Sequence, residues 1–518
     1  MMTAEPLESK MKMTKEVELK LSILAQDIDR LKRHPAIKSA QIEKSKTRLL
    51  LSTYFDTPQL TLLNSNITLR VRRSSGIWFQ TLKSIDSTST GLHQRREYEH
   101  IITSRHPDFS KITDPILVKI FDDKLLRSTL RPIFITKVRR TDWQLGFDNG
   151  DKIELALDLG ELIVGKRREP ISEIELELKN GNTGRLFEFA LNLIQSIPLS
   201  LQHISKSQRG YDYYRPRMPV IIHANPPHLQ RNMSAHLALK QIVWDCFTQL
   251  QGNQDVVLYD DNEEGVHQMR VAIRRFRSSL NTFGRIINPQ SCSNIIKDLK
   301  WIATVLGQAR DLDVFTKQTL PSVIQQFPDQ PSLIQLQEKA QQAMGVAQNN
   351  VCKAIGSQRY QHMLLCIGDW LENERWRKTN SVEYSVLEIA QTVLTKRHKQ
   401  LKQKSKHLPK ANQEERHAAR IASKKLRYAS EFFAHLYPQN RLKKFMPALI
   451  ELLDTLGALN DISVAKNLTH KLIGNRPNLV LFNSLYVIAD WNACNTIHQL
   501  QNLKRNWKRF DRLKPRWS

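Results

Sequence analysis

The chain has 518 residues, and its 78 lysine and arginine residues against 51 aspartate and glutamate residues give a net charge of +27 and a pI of about 9.9. This length is too great for one hydrophobic core, so two or three domains are expected, and a hydrophobic fraction of 40% argues against widespread disorder. The charge favours polyanionic partners, namely nucleic acid, phosphate polymers or an anionic membrane surface, over a basic protein without an anionic ligand.

The amino-terminal segment gives the first indication of the compartment. MMTAEPLESKMKMTKEVELK lacks the apolar core of a secretory signal, and Met13 is a candidate for the true start. No apolar run in the chain is long enough to span a membrane. Five scattered cysteines without a CxxC pair argue against a disulfide framework and against a zinc site. We therefore expect a cytoplasmic protein without a membrane partner.

Residues 14–215 have the pattern of β-strands in which charged and apolar side chains alternate. A period of two places one set of side chains on each face of a strand. The segments are TKEVELKLSI, ITLRVRRS, IWFQTLKS, HQRREYEHII, FITKVRRTDWQL, DKIELALDLGEL and ISEIELELKN. Turn-rich links such as SSG and FDNGD predict an antiparallel sheet that can close into a barrel, and a short helix is expected over 184–196.

The polar face of these strands consists almost entirely of Glu, Asp, Arg and Lys. Alternation puts Glu16, Glu18 and Lys20 on one face of the first strand. The same rule groups Arg70 with Arg72; Arg95 with Glu97 and Glu99; Lys137 with Arg139; Glu154 with Asp158; and Glu173 with Glu175, Glu177 and Lys179, while Lys83 ends an aromatic strand.

Two interpretations of these charges are open. If the apolar side chains point outward, the charges line the interior of a barrel, where a metal ion and a phosphate chain would supply counter-ions. Acidic strands then supply oxygen ligands for Mg²⁺ or Mn²⁺, and Arg and Lys bind the phosphates. Alternatively, the strands are solvated faces of a half-exposed sheet held by cross-strand ion pairs.

The motifs of this half occur in a fixed order. After Glu16-x-Glu18-x-Lys20 come YFDTP, LRVR, TLK, RREYE, TKVRR, ELALD, EIELELK and SKSQRGY. This set resembles the CYTH, or triphosphate tunnel metalloenzyme, superfamily, whose ExExK motif the first three residues match. The resemblance covers 13–215. It implies an eight-stranded antiparallel β-tunnel that hydrolyses triphosphate-containing substrates.

The resemblance also implies roles for individual residues. The implied ligands for Mg²⁺ or Mn²⁺ are Glu16, Glu18, Asp158, Glu173, Glu175 and Glu177. The implied phosphate-binding residues are Arg70, Arg72, Lys83, Lys137, Arg139, Lys179 and Lys206. The implied catalytic group is Lys20, Arg95, Glu97 and Glu99, in which the two glutamates would ligate or orient metal and water.

The second half has helical periodicity and an internal repeat. RPRMPVIIHANPPH carries four prolines and predicts a linker, which places the domains at 13–215, 216–228 for the linker, and 229–518. HQMRVAIRRFRSSL at His267 recurs as HAARIASKKLRYAS at His417, and LGQARDLDVF at Leu306 recurs as LGALNDISVA at Leu456, both 150 residues later. Two motifs that share one offset predict two related helical bundles.

Each copy of the repeat carries a row of cations on one helix face. The rows are His267, Arg270, Arg274 and Arg277, and His417, Arg420, Lys424 and Arg427. Each row lies within about 80° of arc, where like charges repel, so an anionic ligand or a solvated basic face is expected. The motifs resemble the CHAD domain, which implies two pseudo-symmetric four-helix bundles that bind inorganic polyphosphate through these rows.

The two resemblances together predict an α+β multidomain phosphoanhydride hydrolase, similar to the enzymes that hydrolyse inorganic triphosphate in bacteria. Thiamine triphosphate, nucleotides or long-chain polyphosphate are alternative substrates, and adenylate cyclisation is a further alternative. A non-catalytic polyphosphate-binding protein and a nucleic-acid-binding protein belong to competing classes. The chain lacks an aromatic-studded basic surface or a recognisable groove-reading module, which disfavours nucleic acid.

Overall fold

A computed structural model describes residues 14–84, 92–260, 262–378, 382–438, 442–475, 478–513 and 517. For residues 14, 15, 84, 92–96 and 409 only the backbone is described. The chain forms two compact units, one of 14–218 with 356–375 and one of 219–355 with 376–517. Within these described ranges, no helix combines the length and the apolar character needed to cross a bilayer.

The first unit is built on a closed antiparallel sheet. Its strands are β1 Thr14–Ile23, β2 Lys46–Asp56, β3 Ile67–Ser74, β4 Ile77–Ser84, β5 Leu92–Ile102, β6 Arg131–Gly146, β7 Lys152–Val164, β8 Arg167–Asn180 and the short β9 Leu199–Leu201. The strand order is β5-β4-β3-β2-β6-β7-β8-β1-β9, and β1 also pairs with β5. This additional pairing closes β1–β8 into a tunnel, so the predicted eight-stranded tunnel is confirmed.

The helices follow in chain order. Those before residue 230 are α1 Ile28–Lys32, α2 Pro35–Ala40, α3 Thr61–Asn64, α4 Pro115–Phe121, α5 Lys124–Thr129, α6 Gly184–Ile194 and α7 Lys206–Tyr214. Those after it are α8 Ala235–Gly252, α9 Gln254–Tyr259, α10 Glu263–Thr282, α11 Ser293–Val314, α12 Leu320–Gln326, α13 Pro331–Ile355, α14 Gln358–Glu372, α15 Val386–Lys404, α16 Gln413–Phe432, α17 Phe445–Ile473 and α18 Leu479–Asp511. A π-helical turn, Phe315–Thr319, joins α11 to α12.

Apart from the set beneath α7 that includes Phe134 and Val138, the apolar side chains of the strands lie on the outside of the tunnel, beneath helices. On β3, β4 and β5, Val71, Leu82 and Tyr98 pack in one core with Phe121 of α4. Helix α6 packs on β1 and β8 and buries Phe187. Because covering helices shield the outer apolar face from water, the polar face of each strand is free to point into the tunnel.

Helix α7 is held against the strands by an aromatic cluster of Tyr54, Phe134 and Tyr211. Phe134 stacks on Tyr54 with ring centroids 4.3 Å apart and meets Tyr211 edge-on at 5.4 Å. A Cβ on Gly210 would lie 2.1 Å from Cε2 of Phe134, so only glycine allows this approach. The cluster therefore fixes the position of α7, whose first residue is Lys206.

The helical unit contains two groups of four packed helices. Helices α8, α10, α11 and α13 form one group, and α15, α16, α17 and α18 form the other. Asn262 and Asn412 occupy the same place before α10 and α16, and the side chain of each accepts a hydrogen bond from a backbone N–H of the first turn. Ser234 and Ser385 precede α8 and α15 and form a backbone bridge with each other. The predicted repeat thus extends to the helix caps.

Helix α14 packs with the first unit although it follows α13 in the chain. A Cβ on Gly368 would lie 2.1 Å from Cε1 of Phe187 in α6, which shows how closely the two helices approach. The side chain of Gln361 accepts a hydrogen bond from the backbone N–H of Leu201 at 2.9 Å. The linear domain boundaries stay a prediction, and the structure adds that 356–375 pack with the tunnel.

Candidate active site in the tunnel and basic cavities in the helical unit

The tunnel encloses a cavity of about 360 Å³ with a charged wall. Its acidic lining residues are Glu16, Glu18, Glu97, Glu99, Glu154, Glu175 and Glu177. Its basic lining residues are Lys20, Arg48, Arg70, Arg72, Lys83, Arg140 and Lys206. Acids and bases are equal in number among these described residues, and such compensation lowers the cost of burying charge.

Three buried carboxylates converge at the cavity wall, and one of them, Glu175, lines the cavity. Asp158 of β7 and Glu173 and Glu175 of β8 each place an oxygen within 4.8 Å of the other two, and all three residues are buried. The strand register causes this arrangement, because Asp158 lies directly opposite Glu173 and Glu175 follows two residues later on the same face. Clustered carboxylate oxygens are the donors that Mg²⁺ and Mn²⁺ prefer. This acidic cluster of Asp158, Glu173 and Glu175 fits a divalent cation.

Protein cations surround the acidic cluster. Lys206 Nζ lies 2.6 Å from Asp158 Oδ2 and 2.9 Å from Glu175 Oε1. Lys206 also contacts Glu173. Arg140 donates from Nε to Asp158 Oδ1 at 2.7 Å and contacts Glu175. Burial raises the pKa of Asp158, but Arg140 and Lys206 outweigh burial and lower that pKa to about 2.

The ExExK residues lie on the inner face of β1. Lys83 Nζ is 2.8 Å from Glu16 Oε2, and burial of Glu16 is outweighed by Lys83 and Lys20, which lower its pKa to about 2. Lys20 Nζ is 2.9 Å from Glu18 Oε2 and contacts Glu175. Burial, opposed by Lys20 but aided by Glu175, raises the pKa of Glu18. The two glutamates therefore differ, and Glu18 is the more easily protonated.

A second mixed cluster connects β3, β4 and β5. Arg70 Nη2 donates to Thr81 Oγ1 at 3.0 Å and lies 3.4 Å from Glu97 Oε1. The same nitrogen lies 3.8 Å from Glu99 Oε2. Lys83 Nζ is 3.1 Å from Glu97 Oε2, so this glutamate bridges two cations. Glu99 is the more accessible of the two acids, with 43% of its side chain exposed against 16% for Glu97.

Arg72 differs from the other cations that line the cavity. Its Nε donates to Ser52 Oγ at 3.1 Å, and no carboxylate in the described part of the chain lies within ion-pair distance. Burial, followed by repulsion from Arg70 and Arg140, lowers the pKa of Arg72 to about 10. A half-buried cation without a direct ion pair inside a charged cavity is a strong candidate for an anion ligand.

Two predicted phosphate ligands, Lys137 and Arg139, are exposed on the outer face of β6. The prediction assumed that the apolar side chain between them, Val138, points away from the tunnel. Val138 instead packs with Phe134 in the core beneath α7. The alternation of β6 is therefore shifted by one residue, and Arg140 lines the cavity in place of its neighbours. The predicted orientation of Lys137 and Arg139 is wrong.

The remaining predicted residues lie at one margin of the cavity or beyond the described side chains. Lys179 Nζ is 2.7 Å from Glu177 Oε1 and 3.8 Å from Glu154 Oε1, and its side chain is 37% exposed. The backbone of Arg95 pairs with that of Glu16, but the Arg95 side chain lies outside the described residues. Its catalytic role stays a prediction.

Sequence reasoning missed Arg140, Arg48 and Tyr54 as cavity residues. The sequence does contain a signal for Arg140, because Asp142, two residues later on β6, is a second charged residue on the same face. Asp142 pairs with Arg48 at 3.0 Å, and Arg140 lies directly opposite Asp158 on β7. Arg140 and Asp142 are two charged residues that alternate along β6, and Arg140 faces a carboxylate on the neighbouring strand. Such a pair identifies the inner face of a strand better than one apolar residue does.

Six of the eight predicted polyphosphate ligands line two cavities in the helical unit. A cavity of about 560 Å³ is lined by His267, Arg274, Arg420, Lys424 and Arg427. A cavity of about 740 Å³ is lined by His417 and Arg420. Arg270 and Arg277 do not line either cavity. Arg270 instead donates to the Leu306 carbonyl oxygen at 3.2 Å and lies 3.7 Å from Asp311.

Lys424 lies in the 560 Å³ cavity among arginines from both copies of the repeat. Burial, and then repulsion from Arg420, Arg274 and Arg270, lowers its pKa to about 7, against a weaker opposing effect of Asp461. Lys424 is therefore a cation whose charge changes near neutral pH.

Comparison with known proteins assigns both halves. The CYTH domain model matches 14–211, and the CHAD domain model matches 241–470. The inorganic triphosphatase of Haemophilus influenzae is 36% identical over 200 residues, which are 38% of this chain and 55% of that protein, so the chain spans about half of that relative. The crystal structure of the CHAD domain from the plant Ricinus communis aligns over 57% of this chain and 98% of its own, with 25% identity and a TM-score of 0.52. The chain therefore contains a CYTH domain over 14–211, followed by a CHAD domain over 241–470.

Proposed function

We propose that the tunnel hydrolyses inorganic triphosphate to pyrophosphate and phosphate with Mg²⁺ or Mn²⁺. The observation that carries this proposal is a cavity lined by both carboxylates and arginines, whose wall includes Glu175 of the buried acidic cluster. One of these arginines, Arg72, has no carboxylate partner among the described residues. A tripolyanion with a divalent cation satisfies both kinds of charge at once. The CYTH domain and the name of the Haemophilus influenzae relative support the same reaction.

The basic residues of the cavity bind the phosphate chain, and the carboxylates bind the divalent cation. Arg70, Arg72 and Lys83 bind the phosphate oxygens and stabilise the charge that spreads over them during phosphoryl transfer. The divalent cation would be held by carboxylates of Glu16, Glu18, Asp158, Glu173, Glu175 and Glu177. When bound, it supplies Lewis-acid stabilisation of the phosphate chain. Glu99, the more accessible acid of its strand, orients the attacking water.

The lining favours an inorganic substrate over one with an organic group. The described wall consists of charged side chains, hydroxyls and one aromatic ring, that of Tyr54. One face of this ring is already stacked on Phe134, which reduces the aromatic surface open to a base or a thiamine ring. Thiamine triphosphate, nucleotides and long-chain polyphosphate remain alternative substrates, and cyclisation of a nucleotide remains an alternative reaction.

Phosphate release from a panel of triphosphates tests this proposal. Full-length chain with Mg²⁺ or Mn²⁺ should release phosphate fastest from inorganic triphosphate, compared with thiamine triphosphate, ATP and polyphosphate, and ATP should yield no cyclic product. Glu16→Ala should lower kcat/KM by about 10²-fold, because Lys83 loses one of its two carboxylate partners and the metal loses a ligand. Glu161→Ala, which removes a carboxylate opposite the exposed Lys137, should leave the rate within about twofold. No release from any triphosphate would favour the non-catalytic alternative.

We also propose that the helical unit binds inorganic polyphosphate. The two basic rows supply cations to neighbouring cavities that share Arg420, which suits a linear polyanion better than a compact one. Competition between polyphosphate and RNA for the full chain separates this proposal from nucleic-acid binding. Polyphosphate binding should survive Glu16→Ala, because the substitution lies in the other unit.

Polyphosphate binding should weaken as the pH rises through the titration of Lys424. Its pKa of about 7 means that binding an anion above this pH requires proton uptake, so affinity should fall by up to about tenfold per pH unit between pH 7 and 8.5. Lys424→Arg should flatten the profile, because a guanidinium stays charged. The adjacent exposed Lys425, changed to Arg, serves as the matched control and should keep the slope. Superimposable profiles for the wild type and Lys424→Arg would contradict the assignment.

The cysteines bear on the compartment. None of the five, all of which lie in the described part of the chain, forms a disulfide. We propose a reducing compartment, the cytoplasm, in which cysteines stay as free thiols. Alkylation in denaturant at the moment of lysis, without a reductant, should modify all five thiols, because denaturation exposes the buried Cys246 and Cys292.

A further inference from the structure

Lys206 occupies the centre of the acidic cluster that fits a divalent cation. Its Nζ lies 2.6 Å from Asp158 Oδ2 and 2.9 Å from Glu175 Oε1, and it also contacts Glu173. Only 12% of the Lys206 side chain is exposed, and the carboxylates around it are exposed by 1–11%. An ammonium with three carboxylate contacts takes the place that a metal ion with these ligands would take.

The acidic cluster is already neutralised without a metal ion. Arg140 pairs with Asp158 and Glu175, Lys20 pairs with Glu175, and Arg209 lies 3.3 Å from Glu173. With Lys206, the cations at least equal the carboxylates in number. A divalent cation added to this set would create excess positive charge in a buried place, which is costly. One of the protein cations must therefore leave when the metal binds.

Lys206 is the cation best able to leave. Arg140 donates two hydrogen bonds to one carboxylate from a central strand, and Lys20 is also paired with Glu18 at 2.9 Å on β1. Lys206 is the first residue of α7, and its flexible four-carbon stem lets the ammonium move while the helix stays in place. Lys206 also lines the cavity beside Ser205, where a phosphate chain would lie.

We propose that Lys206 is an internal counter-cation of the acidic cluster, which yields its place to the divalent cation and then pairs with the phosphate chain. This inference rests on the proposed function, since it requires metal and phosphate in the same cavity. It predicts that metal and phosphate binding are coupled, because the displaced ammonium gains a new partner only when phosphate is present. A lysine that bound phosphate without contacting the acidic cluster would leave the affinity for metal alone unchanged.

Mn²⁺ binding to the full chain, measured by the electron paramagnetic resonance signal of the free ion, tests the proposal. Lys206→Met should bind Mn²⁺ alone at least about tenfold more tightly than the wild type, because no ammonium competes. Lys206→Arg, which keeps the charge, and Lys137→Met, which removes a lysine from the outer face of the tunnel, should bind within about threefold of the wild type. The titration of free Mn²⁺ is then repeated in the presence of a non-hydrolysable imido analogue of triphosphate. The gain in Mn²⁺ affinity over the titration without the analogue should be larger in the wild type than in Lys206→Met.

An equal or weaker affinity of Lys206→Met for Mn²⁺ alone would overturn the proposal. Lys206→Gln provides the same comparison if the methionine variant fails to fold. The titration requires no turnover, so it is independent of the proposed reaction. A chain that shows the tenfold shift but hydrolyses no triphosphate would refute the reaction alone, and an active chain without the shift would refute the counter-cation alone.

Discussion

Replacing Arg140 with alanine should remove most triphosphate hydrolysis and destabilise the tunnel. Arg140 donates to both oxygens of Asp158, at 2.7 and 2.5 Å, and contacts Glu175, while the Asp158 side chain is 1% exposed. Without the guanidinium, buried carboxylates lose their counter-charge, which typically costs about 3–5 kcal/mol of unfolding free energy. We expect kcat/KM to fall by about 10²-fold or more, because the same charge positions the acidic cluster.

The adjacent arginine is the matched control for this experiment. Arg139 is exposed on the outer face of β6, so Arg139→Ala should change kcat/KM by less than about twofold and stability by less than about 0.5 kcal/mol. Hydrogen exchange of β6, β7 and β8 reports on the tunnel separately from the helical unit. Equal losses in the two variants would show that β6 does not have the observed alternation.

The difference between Arg139 and Arg140 also shows how far sequence alone can predict the site. Alternation correctly predicts the inner face of β1, where Glu16 and Lys20 line the cavity. It fails on β6, because the tunnel interior is not uniformly polar and accepts Val138 beneath α7. A rule that assigns apolar residues to the outside holds only where the inside is charged along the whole strand.

The surroundings of Lys206 could not be predicted for a different reason. The SKSQRGY motif indicates that Lys206 lies near the site. The carboxylates that Lys206 contacts are defined only once α7 has packed on β6 and β7. That packing depends on Gly210 against Phe134, a contact between residues far apart in the chain. Sequence periodicity describes one element at a time, so it cannot show which charges from different elements share a counter-ion.

The helical half contains one feature that the sequence predicts and one that it does not. The repeat at one offset predicts the paired helices. It extends to their caps at Asn262 and Asn412, because the first turn of each helix has backbone N–H groups that need a hydrogen-bond acceptor. The packing of α14 with the tunnel unit has no such local signal. It depends on Gly368 meeting Phe187, and glycine in a helix is ambiguous until its neighbour is known.

Replacing Arg72 with alanine should separate catalysis from folding. No carboxylate in the described part of the chain lies within ion-pair distance of Arg72, and repulsion from Arg70 and Arg140 outweighs the attraction of Glu99. Removal of Arg72 therefore relieves repulsion, and the free energy of unfolding should stay equal or rise. kcat/KM for triphosphate should fall by about 10²-fold, because the phosphate chain loses a half-buried cation in the cavity wall. Since burial and its neighbours lower the pKa of Arg72 to about 10, its charge opposes folding below that pH. Any stability advantage of the variant over the wild type should therefore shrink as the pH rises through 10. A loss of unfolding free energy as large as that of Arg140→Ala would mean that Arg72 has a protein counter-ion and is not a free phosphate ligand.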